Sequence, residues 1–206
     1  MLLEAPQSQL VLVDYQARLL PAMLEGTAIL ANALRLAQAA RLMAVPVWGT
    51  EQNPSGLGET EPQLRALCKD VLAKMHFSAV EEGLSDWLRP EPPVQNPQRG
   101  NARSLPKHLQ KAVPQAAQTP QRNMVVIGGC EAHICLLQTA LDLIEEEFEV
   151  WVVTDACSAR TERNRDAAFD RLAGVGAELV TTEMVLFEWL RTAEHPQFKA
   201  LHAGVK

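Results

Sequence analysis

The chain has 206 residues, 47% hydrophobic and 21% charged, a balance that excludes wholesale disorder and supplies one well-covered α/β core but not two domains of comfortable size. Its formal net charge of −6 and the lack of any Lys/Arg run argue against a nucleic-acid binder, because neutralising phosphates takes a basic face; a small molecule is the expected partner. The amino-terminal MLLEAPQSQLVLVDYQ has neither the basic start nor the long apolar stretch of a secretion signal, and nothing else approaches the length that spans a bilayer. A cytoplasmic location without a membrane partner is expected, where Cys68, Cys130, Cys135 and Cys157 are reduced thiols.

In chain order, short apolar runs alternate with helical patterns. The runs are LVLVD at 10–14, VPVWGT at 45–50, VLAK at 71–74, MVVIGG at 124–129, FEVWVVTD at 148–155 and ELVTT at 178–182. They are continuous rather than alternating, as befits strands buried on both faces of a parallel sheet. Thr27 to Met43, the stripe Ile134, Leu137, Leu141 and Ile144, and the segments 161–173 and 183–193 have helical spacing. Residues 89–123, rich in Pro, Gln and Asn with one plausible helix from Lys107 to Ala117, read as an extended crossover that serves as a lid, an oligomer contact or a mobile segment. The expected architecture is therefore one domain over 1–206: a doubly wound six-stranded parallel sheet of order 3-2-1-4-5-6 with helices on both faces, a Rossmann-like three-layer sandwich.

Function in such sheets collects where strands end at their carboxyl edge. Asp14 closes the first run, Lys74 closes the third, and Cys135 follows the Gly128-Gly129 turn after the fourth. In that strand order the first and fourth strands are neighbours, so Asp14 and Cys135 would face one crevice. A thiol near a helix start, with a lysine beside it, is expected to have a lowered pKa. Asp14 would take the thiol proton and return it to a leaving group, and amides around Glu131 and Cys135 would hold the developing oxyanion. Singly, each residue has a bland reading: a strand-end Asp as a cap, a Lys as a surface charge, a Cys as a small buried side chain. Their coincidence at three strand ends changes the balance.

Cys130, His133 and Cys135 form one cluster with no second ligand pair to complete a tetrahedron, and Gly128-Gly129 does not continue into a phosphate-binding turn. Neither a metal nor a cofactor is expected. Two other readings stay open: a thiol redox protein using Cys130 and Cys135, and a non-catalytic interaction protein that keeps the fold.

The segments LVLVDYQARLLPAM, TEQNPSGLG, KMHFSAV, GGCEAHICLLQTALDL and VVTDACSARTERNRDAAFDRL resemble, in order and spacing, the isochorismatase-like hydrolases. EAHIC, where many relatives have Thr-Asp before the cysteine, together with HPQFK at 195–199, most resembles the isochorismatase domain-containing proteins. The resemblance implies a six-stranded parallel sheet and a catalytic trio of Asp14, Lys74 and Cys135. It also implies a cis peptide joining Cys130 to Glu131 and substrate-side positions at Glu131, Gln52, His133 and Phe77; Gln52 read alone is equally a loop amide. The implied activity is cysteine-dependent hydrolysis of a small amide, ester or vinyl-ether metabolite through a thioester-type intermediate. Nicotinamidases of the family hold a metal with Asp-x-His after the second strand, where this chain has Trp48-Gly49-Thr50-Glu51-Gln52. Relatives commonly form dimers or larger homo-oligomers, and the insertion at 89–123 with Trp87 beside it would offer apolar surface for one.

Overall fold

Six strands pair side by side; the four inner ones are buried along most of their length, as unbroken apolar runs require, whereas the edge strands at 70–74 and 178–180 are partly exposed, because an edge has a neighbour on one side only. The computed structural model describes residues 1–89 and 122–205. The strands are β1 (Ser8–Val13), β2 (Val47–Gln52), β3 (Asp70–Lys74), β4 (Met124–Gly129), β5 (Glu149–Cys157) and β6 (Glu178–Val180). All pair in parallel in the order β3-β2-β1-β4-β5-β6, as the sequence predicts. The helices are α1 (Gly26–Leu42), α2 (Pro54–Leu57), α3 (Pro62–Arg65), α4 (Leu84–Leu88), α5 (Leu137–Glu145), α6 (Glu162–Gly174), α7 (Thr182–Leu190) and α8 (Phe198–Val205), with a π-helical turn at Ala132–Leu136 before α5. The expected crossover at 89–123, including its helix, lies outside the described residues except at its ends. None of the described helices is long and apolar enough to cross a membrane.

Alternation along the strands divides the interior in two. Leu10, Leu12 and Val126 pack with Ala33, Leu36 and Ala37 of α1, Val185 and Trp189 of α7, and Leu201 of α8. Val11, Val13, Val125 and Ile127 pack on the other face with Leu84 and Leu88 of α4, Ala140 and Leu143 of α5, and Leu172 of α6. Each fully buried Val or Leu side chain contributes about 1.5–3 kcal/mol, so the sheet is the plane on which both layers depend. Trp87, expected to be available at an oligomer surface, instead packs on this second cluster with its ring centroid 5.6 Å from that of Trp48. An indole so placed is partly spent on its own chain.

Strand ends depart from the apolar runs where a side chain caps the following helix. The run ELVTT stops at Val180 because Thr181 turns to accept a hydrogen bond from the Met184 amide and starts α7, and Thr161 caps α6 through the Asn164 amide. β5 runs past Asp155 to Cys157, its register against β4 shifting between Ile127 and Gly129.

At the carboxyl end of β4 the close approach of β1 explains the paired glycines. A Cβ on Gly129 would lie 2.7 Å from the Val13 Cβ and 2.7 Å from its carbonyl oxygen, and one on Gly128 would lie 2.9 Å from the Tyr15 hydroxyl. Gly129→Ala is therefore expected to cost about 1–3 kcal/mol in urea denaturation. Gly174→Ala, at the end of α6 where an added methyl meets nothing within 4 Å, should leave the midpoint unchanged or raise it.

Candidate active site

Asp14 is the residue after β1, and it leaves the strand at φ 57°, a left-handed conformation that Asp tolerates better than most residues. The turn aims its carboxylate across β2. There the Thr50 hydroxyl donates to Oδ1 at 2.6 Å and the Lys74 ammonium donates to Oδ2 at 2.9 Å. Strand register makes this possible: Val13 lies opposite Thr50, and Gln52 lies opposite Lys74. Lys74 is buried along its whole side chain, and Nζ also donates to Gln52 Oε1 at 2.6 Å and to the Phe77 carbonyl at 3.0 Å. All three ammonium protons thus have a partner, which a buried cation requires.

The thiol completes the group from the far side of β1. Cys135 is 4% exposed, and its Sγ lies 3.8 Å from Gln52 Oε1. Its pKa is lifted to about 12, first by burial and next by the Asp14 charge, while Lys74 pulls the other way. This corrects the expectation of a thiolate with lowered pKa. Cys135 sits in the fourth position of a buried π turn rather than at an exposed helix start, and the one nearby cation is already shared with a carboxylate. The resting group is a neutral thiol with a carboxylate nearby.

The turn leading to Cys135 differs from expectation in a second way. Among the described residues there is no cis peptide, so the Cys130–Glu131 bond is trans; the sharp change of direction is made instead by Glu131 itself, at φ 50° and ψ 56°. Neighbouring backbone holds it there: the Cys130 amide donates to the Val13 carbonyl at 3.0 Å, and the Ala132 amide to the Ser158 carbonyl at 2.7 Å. The Ile134 amide bonds the Glu131 carbonyl at 2.8 Å, so neither it nor the Ala132 amide is free for an oxyanion.

The other sequence-derived positions fare unevenly. Gln52 belongs to the group, its oxygen shared by Lys74 and Cys135 and its Nε2 donating to the Met75 carbonyl at 2.8 Å. Phe77 enters through its carbonyl, while its ring is 51% exposed. The Glu131 carboxylate meets Arg160, Nε to Oε1 at 3.0 Å. His133 places Nε2 3.7 Å from Glu131 and 3.3 Å from the Asn164 amide nitrogen, and its buried Nδ1 has no hydrogen-bond partner among the described residues. An open groove of about 650 Å³ beside the site is lined by Met75, Phe77, Gln138 and Leu141 among others, but Asp14, Lys74 and Cys135 do not reach it. Cys130 packs in the α1-side cluster and Cys135 in the opposite one, with all four thiols free.

Sequence reasoning missed three supports. Thr50 fixes Asp14; Gln16 brackets Gln52 by accepting from its amide at 2.9 Å and donating to its carbonyl at 3.0 Å; Arg160 holds Glu131. Gln16 and Thr50 stand within or next to strand-end runs, which was the available signal, whereas Arg160 lies in a loop with none.

Because Asp14 and Lys74 are both fully buried, Lys74→Met should destabilise the protein by about 3–5 kcal/mol, the cost of an uncompensated buried charge. Adding Asp14→Asn to that variant should restore much of the loss. Urea midpoints of the single and double variants check this, and a double variant no more stable than Lys74→Met would contradict the pairing.

Comparison with known proteins places the chain by family and fold. The isochorismatase domain matches residues 8–184. Isochorismatase domain-containing protein 2 of Rattus norvegicus is 34% identical over 202 residues, covering 98% of this chain and 82% of the rat protein. Among solved structures, the MAR1 ribonuclease of Caenorhabditis elegans superposes with a TM-score of 0.81 at 27% identity, over 100% of this chain and 92% of that one. The YcaC gene product of Escherichia coli, described as an octameric hydrolase of unknown specificity, has the same fold at a TM-score of 0.73 and 23% identity, over 100% and 96% of the two chains. The chain is a member of the isochorismatase domain family of hydrolases.

Proposed function

We propose that this hydrolase acts on a small amide, ester or vinyl-ether metabolite through a covalent intermediate on Cys135. The observation that carries the reading is the convergence of a buried thiol, a buried carboxylate and a buried ammonium at three strand ends, with Gln52 Oε1 touching both the ammonium and the thiol. Burying an ion pair is costly and is weak evidence for stability, so a buried pair gathered with a thiol at the carboxyl edge of the sheet favours a functional site over a structural one.

As Sγ bonds to the electrophilic carbon, its proton passes to Asp14. With an amide or ester, the leaving group departs with that proton, and water then cleaves the thioester to release the acid and regenerate the thiol. Lys74 anchors Asp14 and offsets its effect on the thiol. Amides of the Glu131–Cys135 turn that are not already bonded within the protein face the developing oxyanion.

The ribonuclease name of the Caenorhabditis protein gives a second reading, against which stands a net charge of −6. A panel of small amides, esters and an RNA oligonucleotide, assayed with wild type and Cys135→Ala, separates the two. Turnover of a small substrate lost in Cys135→Ala supports the proposal; RNA cleavage that survives the substitution overturns it. Asp14→Asn should lower turnover by about 10²–10⁴-fold.

The thiol is protonated below a pKa of about 12, so iodoacetamide labelling of Cys135 in the free protein should climb through the alkaline range. In Lys74→Met the climb should move to higher pH, because the lowering influence is gone. An unmoved profile would separate Lys74 from the thiol.

We also propose a homo-oligomer, in keeping with the octameric Escherichia coli relative and the exposed Met75 and Phe77. Light scattering at micromolar concentration should give a multiple of 22.7 kDa; a monomer mass would exclude it.

A further inference from the structure

We propose that Arg160 is a positioning residue for the reaction, holding the nucleophile turn in its productive shape by gripping Glu131. The inference rests on Cys135 being the nucleophile. Arg160 lies three residues beyond the end of β5 and faces Glu131 with two nitrogens, Nε to Oε1 at 3.0 Å and Nη2 to Oε2 at 3.3 Å. Such a fork fixes the orientation of a carboxylate as well as neutralising it. The Glu131 side chain is 8% exposed, whereas that of Arg160 is 57% exposed.

This asymmetry separates positioning from ordinary stabilisation. A half-exposed guanidinium is screened and adds little to fold stability. Glu131, however, holds a left-handed backbone, at φ 50°, that glycine or asparagine would adopt more readily. Backbone contacts hold this turn, and the grip of Arg160 on the carboxylate adds a side-chain tether to them. The same loop supplies the second tether, since the Ser158 carbonyl receives the Ala132 amide at 2.7 Å. Ser158 is itself anchored, its amide on the Gly129 carbonyl at 3.2 Å and its hydroxyl on the Leu24 carbonyl at 2.7 Å. The β5–α6 loop thus clamps the turn by one backbone and one side-chain contact. Releasing the side-chain contact displaces the amides that meet the oxyanion, while Asp14, Lys74 and Gln52, on other strands, stay in place.

The test compares two reactions of Cys135. In acylation by p-nitrophenyl acetate, Sγ bonds to the carbonyl carbon, Asp14 takes the thiol proton, an oxyanion forms, and the bond to p-nitrophenolate breaks. In alkylation by iodoacetamide, Sγ displaces iodide and no oxyanion forms. Arg160→Met should slow acylation by about 10–100-fold and leave both the pH profile of alkylation and the melting temperature near wild type. Arg160→Lys should recover part of the acylation rate, retaining charge without the fork. In a Glu131→Gln background, Arg160→Met should have little further effect, because the two act as one unit. Wild-type acylation in Arg160→Met would overturn the clamp alone, and so would parallel loss of acylation, alkylation and melting temperature. A wild-type protein that acylates nowhere on Cys135 would overturn the nucleophile reading, and the clamp with it.

Discussion

The contact between the Lys74 ammonium and the Asp14 carboxylate, 2.9 Å apart with neither side chain exposed, constrains everything around it. Two opposite charges can sit inside a sheet protein only if each spare lone pair and proton finds a partner. Here Thr50 serves the carboxylate, and Gln52 and the Phe77 carbonyl serve the ammonium. Those partners come from β2 and the loop after β3, so the pair ties together the carboxyl ends of three strands. β4 then delivers the thiol to the same place through a glycine pair, Gly129 pressed against Val13 of β1 and Gly128 against the Tyr15 hydroxyl.

Seen this way, the high thiol pKa is a consequence of the site's construction. Burial first, and the Asp14 carboxylate next, discourage a resting thiolate. In the proposed mechanism, nucleophilicity is held back until an electrophile arrives and the proton moves in the same event. A site tuned to hold a free thiolate would need a second cation, and among the described residues near Cys135 the charge that balances Asp14 is Lys74 alone.

Sheet order, and the meeting of Asp14, Lys74 and Cys135 around Gln52, were legible because parallel strands announce themselves as unbroken apolar runs and polar groups at their ends are few. MVVIGG became β4 without a change of boundary, whereas ELVTT lost its threonines to a helix cap, a competition between strand propensity and side-chain hydrogen bonding that composition does not decide. The direction of the Cys135 shift was not legible, since it depends on burial and on which of two opposite charges lies nearer. The turn at Glu131 was expected from family resemblance to contain a cis bond and instead uses a positive φ, a choice set by local backbone contacts. Arg160 carried no signal because its significance lies in what it meets across the fold, 29 residues away in sequence.

The π turn at Ala132–Leu136 also bears on how this segment tolerates changes of length. A π turn holds an extra residue against the α-helical count, and each residue of an α-helix advances the chain by about 100°. Removing one residue from the turn would let the segment relax into regular α-helix, with α5 still showing Leu137, Ala140 and Leu143 to the core. The cost would fall upstream, where Cys135 would swing to a different azimuth while Asp14 and Lys74 stayed put. Single-residue deletions, ordinarily absorbed at helix starts, are therefore barred here by phase rather than by packing, and the spacing between Gly129 and Leu137 is a fixed length of the molecule.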